Sequence, residues 1–164
     1  MAPKKPVEKA TFPRVVESAL ENGSGPEALY AALDLGTNSC RMLIAQPKGA
    51  QFHVIDSFAK SVQLGAGLEK TGRLSRDSMN RTIQALKVCK QKLDKYDVKY
   101  SRLIATEACR RAKNSKDFIL KVFQETGLKL NIIDTEEEAR LAVISCAPLV
   151  SSKSEQLLVV DIGG

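Results

Sequence analysis

At 164 residues, with 43% hydrophobic and 27% charged residues, the chain has the make-up of a globular domain able to bury roughly two-thirds of its unfolded surface. No apolar run approaches the roughly 18 residues of a membrane span, and residues 1–10, MAPKKPVEKA, lack the apolar stretch of a secretory signal. The net charge of +6 is concentrated mid-chain: residues 69–100 carry nine Lys or Arg against four Asp or Glu, 101–116 five against one, and 117–164 four against eight, a field that attracts anions.

Residues 1–27, with Pro3, Pro6, Pro13, Pro26 and scattered charge, read as a flexible extension holding at most a short helix at 14–20. Three strands follow, at 29–35, 40–45 and 51–63, joined by GTNS and PKGA turns short enough to demand antiparallel pairing. The period then changes from two to 3.6. A helix begins near Ser75, with Met79, Ile83, Leu86 and Leu93 on one face. SRLIAT is a short buried strand. NSKDFILKVFQETG is a helix opened by Asn114 or Ser115 and stopped by Gly127. LKLNIID is a strand, TEEEARLAVISCAPL a third helix, and QLLVVDIGG a final strand and turn. The predicted order implies an α/β fold, a mixed sheet flanked by helices.

The four cysteines, 40, 89, 109 and 146, form no CxxC and have only His53 to join them, which speaks against a zinc site. Free thiols fit a reducing, cytoplasmic setting. His53 reads as an ordinary strand residue.

The stretch ALDLGTNSCRMLIA, residues 32–45, breaks its apolar character at Gly36, Thr37, Asn38 and Ser39. A glycine turn after a buried strand lets backbone N–H groups approach an anion, the hydroxyls and amide add donors, and the Arg41 guanidinium grips phosphate oxygens in pairs. Asp34 repels a bare phosphate, so a magnesium ion held by carboxylate, water and substrate oxygens is expected beside it. An ordinary hairpin turn explains the same residues, and both readings stand at this point. YAALDLGT at 30–37 is echoed by LLVVDIGG at 157–164, with Asp161 in the place of Asp34, as if a duplicated second half began there.

Two acidic clusters remain. Glu107 ends the LIAT strand, where open α/β sheets place functional groups. Glu136, Glu137 and Glu138 follow Thr135, and Thr135-x-x-Glu138 has the form of a capping box. Arg110, Arg111 and Lys113 lie within one turn of each other, and Lys60 and Arg81 add further cationic candidates for substrate binding.

The segments LDLGTNSCRMLIA, GLEKTGRLSRDSMNRTIQAL, ATEACRRAKN, TEEEARLA and VVDIGG, taken in order, resemble the exopolyphosphatase and guanosine pentaphosphate phosphohydrolase family, over residues 29–164. The resemblance implies a ribonuclease-H-like fold of the actin, Hsp70 and sugar-kinase superfamily. It divides the chain into an extension at 1–27, a first subdomain at 28–150, and the start of a second, missing subdomain at 151–164. It implies a phosphate loop from Asp34 to Arg41, Glu107 as the group that directs water, and Glu136 as a second acid of the site. Asp161, Gly163 and Gly164 would open a second phosphate loop, Asp161 sharing a magnesium or manganese ion with Asp34. Expected substrates are inorganic polyphosphate or guanosine pentaphosphate, with no specific nucleic acid, no membrane, and a homodimer in the full-length protein. The alternative is a nucleotide-binding regulatory or kinase-like module sharing only the superfamily loop.

Overall fold

The first three strands alternate between two surfaces of one sheet, and their alternation decides where the core forms. In the computed structural model, which describes residues 28–48, 51–146 and 158–160, they are β1 (Tyr30–Leu35), β2 (Ser39–Lys48) and β3 (Gln51–Ser61). β4 (Tyr100–Ala105) and β5 (Asn131–Ile132) complete the order β3-β2-β1-β4-β5. β2 is antiparallel to both neighbours, whereas β1, β4 and β5 run parallel. This is the mixed, ribonuclease-H-like sheet that the sequence implied.

One face carries Ala31, Leu33, Leu35, Cys40, Met42, Ile44, Leu103 and Ala105, all buried. Two helices cover it: α2 (Arg76–Lys95) contributes Ile83, Leu86 and Cys89, and α4 (Ser115–Thr126) contributes Phe118 and Val122. Phe118 is fully buried, which is worth about 1.5–3 kcal/mol. Cys40 meets Cys89 in this core, where the hydrogen bond between the thiols and then burial push the Cys40 thiol far up; burial alone raises Cys109 to about 12. Both are therefore inert core thiols.

α2 starts and α4 stops where their end residues dictate. Ser75 caps α2 by accepting from the Ser78 N–H at 3.1 Å. Gly127 closes α4 in the left-handed region at φ 72°. Asn114 precedes α4 but does not cap it with its side chain. Its buried amide instead accepts from the Leu74 N–H at 2.8 Å and donates to the Leu74 carbonyl at 3.0 Å, fastening the segment ahead of α2 to the start of α4.

Several expectations are corrected. LKLNIID pairs with β4 through only Asn131 and Ile132, because Leu128 and Leu130 turn inward to the core and the Leu128 N–H is taken by the Thr126 hydroxyl. Two short helices escaped the periodicity: α1 (Leu68–Thr71), bracketed by Gly67 and Gly72 in the left-handed region, and α3 (Glu107–Arg111). Glu107 thus opens a helix as well as following a strand. The last helix, α5 (Thr135–Cys146), is capped by Asp134, whose carboxylate accepts from the Glu137 N–H at 2.8 Å, not by a Thr135–Glu138 box. The helix expected at 14–20 and most of the final strand lie outside the described residues; Leu158, Val159 and Val160 belong to no strand. Among the described residues no helix is long and apolar enough to cross a membrane.

α5 lies on the other face of the sheet. Arg102 of β4 reaches Glu137 at 2.6 Å, and Arg140 holds the same carboxylate from within the helix, also at 2.6 Å. Hydrogen bonds from Arg140 and then Arg102 lower Glu137 from an ordinary 4.5 to about 2. A carboxylate depressed in the folded state contributes stability above its unfolded value and loses it as pH falls towards its folded value. The hold of α5 on β4 is therefore expected to be constant from neutrality to about pH 4.5 and to weaken between there and about pH 2. Amide exchange across residues 137–146 measures this. Glu137→Gln should shrink the acid-dependent step, and a step undiminished in that variant has another origin.

Candidate functional site

The carboxyl ends of the three parallel strands meet at one edge of the sheet, the place where open α/β sheets gather their ligands. Leu35 lies in register with Ala105, and the Leu35 carbonyl accepts from the Thr106 N–H at 3.1 Å. The Ala105 carbonyl in turn accepts from the Ile133 N–H at 3.2 Å. These contacts bring the Gly36–Ser39 turn, the start of α3 and the start of α5 side by side.

The turn is a hairpin, since Gly36 donates to the Ser39 carbonyl at 3.0 Å. It is also more than a hairpin. Two further carbonyls are used by the segment after β3: Asn38 accepts from the Val62 and Gln63 N–H groups at 2.8 and 2.9 Å, and Thr37 from the Gly65 N–H at 3.0 Å. No backbone carbonyl among the described residues accepts from the Thr37 or Asn38 N–H. The turn is thus tied down through its acceptors and keeps donors for an anion.

Arg110 organises the acids. Its guanidinium donates to the Glu107 carboxylate at 3.0 Å and to the Ile133 carbonyl at 2.9 Å, and pairs with Glu138 at 2.7 Å. Burial draws the Arg110 guanidinium down, but the hydrogen bonds to Glu138 and Glu107 outweigh it and raise it. Arg111, exposed, reaches Glu107 at 3.6 Å and Glu69 at 3.8 Å. The sequence reading put Glu138 in the helix cap and not in the site. Its capping-box position gave it a structural role, yet Asp134 takes that role and leaves the Glu138 carboxylate to Arg110. Glu136 is exposed and has no ion pair among the described residues, so the structure does not bring it to this cluster.

Asp34 and Arg41 face each other across β1 and β2, on the sheet surface away from the core. With Arg102 and Leu141 they line a hollow of about 490 Å³ between the sheet and α5. Lys60 is not with them. It sits opposite Cys40 in register and so lies on the surface that faces α2, whereas Ala59 shares the Arg41 surface. Arg81 makes hydrogen bonds to backbone carbonyls of residues 62 and 63. Asp161, Gly163 and Gly164 lie outside the described residues.

Residues 43–164 match the model of the Ppx/GppA phosphatase family. The chain belongs to the Ppx/GppA phosphatase family. The crystal structure of the Aquifex aeolicus Ppx/GppA family member is 38% identical over 73% of this chain, with a TM-score of 0.70, and the type II variant of the Aquifex aeolicus Ppx/GppA phosphatase is 36% identical over 75%, also at 0.70. An exopolyphosphatase from Cytophaga hutchinsonii superposes at 0.67, with 26% identity over 70% of the chain. The chain spans 39%, 41% and 37% of those three Ppx/GppA and exopolyphosphatase chains, respectively.

No group of three or more potential metal-ligating side chains exists among the described residues. A magnesium ion does not require one, because it keeps several waters and takes one or two carboxylates with substrate phosphates. Asp34, at the carboxyl end of β1 and beside the hydroxyls of the turn, suits that donor set.

Proposed function

We propose that this Ppx/GppA family chain forms part of a hydrolase that releases orthophosphate from the end of a phosphoanhydride chain, inorganic polyphosphate or guanosine pentaphosphate. One observation carries the reading: a turn with its carbonyls tied back lies beside two carboxylates gripped by one arginine, all at the carboxyl edge of the parallel strands. The Thr37 and Asn38 N–H groups, the Ser39 hydroxyl and Arg41 would hold the terminal phosphoryl group. Glu107 or Glu138 would orient the attacking water and accept its proton, and Arg110 and Arg111 would balance charge on the phosphate chain. Phosphoryl transfer is largely dissociative, so such positioning and charge neutralisation supply most of the acceleration.

Magnesium or manganese would be held by Asp34 and, from the second loop, by Asp161; when bound it neutralises charge on the phosphate oxygens. Arg110 and Arg111, within the cationic stretch 101–116, favour a polyanion as substrate. The deciding experiment incubates the full-length protein with magnesium and either polyphosphate or guanosine pentaphosphate and measures orthophosphate. Release from at least one is expected. ATP binding without release from either would make the chain a nucleotide-binding module instead.

A further inference from the structure

We infer that Arg81 is a positioning residue that braces the phosphate-binding turn from behind, through the segment joining β3 to α1. The connection runs through five hydrogen bonds. Arg81 donates from Nε to the Val62 carbonyl at 2.8 Å and from Nη2 to the Gln63 carbonyl at 3.3 Å. The N–H groups of those same two residues converge on one acceptor, the Asn38 carbonyl in the turn. Two residues onward the Gly65 N–H holds the Thr37 carbonyl.

The arrangement is built, not incidental. Gln63 stands in the left-handed region at φ 47°, a conformation that a non-glycine residue rarely adopts without surrounding bonds to hold it. Gly65 approaches the turn so closely that a Cβ would stand 2.4 Å from Thr37 Cγ2. On the other side, Arg81 is followed by Thr82 and Ile83, 0% and 1% exposed, so its backbone is anchored in the core. The guanidinium fork matches two successive carbonyls, which the single ammonium of a lysine cannot do. With Nε and Nη2 committed to backbone, Arg81 acts through the turn and not as a ligand for substrate.

The phosphate-binding label rests on the function proposed above, but the brace itself does not. The test therefore reads the brace directly, by amide exchange in the full chain. Gly36, Val62, Gln63 and Gly65 are the amides that the network protects. Arg81→Gln is expected to speed their exchange at least about tenfold, the loss of one or two net hydrogen bonds, while amides within α4 are unchanged. Arg81→Lys should recover part of the protection. Gly65→Ala, which attacks the same contact from the opposite side, should speed the Gly36 and Gly65 amides without altering α4. If Arg81→Gln leaves all four amides as in the parent chain, the inference is wrong, whether or not phosphate release changes. A chain that releases no phosphate overturns the function proposed above and leaves the exchange result to decide the brace.

Discussion

Glu107→Gln and Glu138→Gln in the full-length protein are each expected to lower the rate of phosphate release, the larger loss, about 100- to 10,000-fold, falling on the carboxylate that meets the water. Glutamine keeps the shape and a hydrogen bond to Arg110 but cannot accept a proton. The two positions differ in surroundings. Glu107 pairs with both Arg110 and Arg111, whereas among the described residues Glu138 pairs with Arg110 and no other cation. Because neither change removes a phosphate-gripping group, KM should move by much less than kcat. Steady-state kinetics on both variants separate the roles. Turnover within tenfold of the parent in both would exclude these carboxylates as the water-directing group.

Arg110→Met is expected to do more damage than either, because it removes one partner from three acceptors at once. The arginine side chain is only 17% exposed, and its loss leaves Glu107 and Glu138 without their shared cation and the Ile133 carbonyl without its donor. Fully buried pairs broken in this way cost about 3–5 kcal/mol, and the partial exposure of both carboxylates discounts that to about 1–3 kcal/mol. For a chain of this size the melting temperature should fall by about 2–4 °C for each kcal/mol. Phosphate release should drop at least about 100-fold as the two acids separate. Arg110→Lys keeps the charge without the fork, and should recover much of the stability but little of the rate. Calorimetry and the release assay read the two effects separately; a stable, fully active Arg110→Met protein would remove Arg110 from the site.

The sheet was legible because its signal is periodic. Alternation in β1 and β2 set Leu33, Leu35, Met42 and Ile44 inward and Asp34 and Arg41 outward, and the switch to a 3.6 spacing announced α2. What was not legible follows from register and from length. Lys60 was read with Arg81 as a further cation for substrate, yet its surface depends on the hairpin register and on a bulge between Ile44 and Ala45 that no local pattern announces. α1 and α3, at four and five residues, are too short to show a period. Three consecutive glutamates satisfy any assignment of the α5 start. Only the Asp134 cap shows that Glu138 is the one that meets Arg110. Arg81 was read as a cation for substrate because a sequence shows charge but not the carbonyls that absorb it.

α5 carries Glu138 into the site, yet none of its residues is fully buried. Among the described residues its ion pairs to the rest of the fold are Arg102–Glu137 and Arg110–Glu138, so it is held to the sheet by charge more than by burial. Swinging it would shift a candidate proton acceptor without opening the hydrophobic interior.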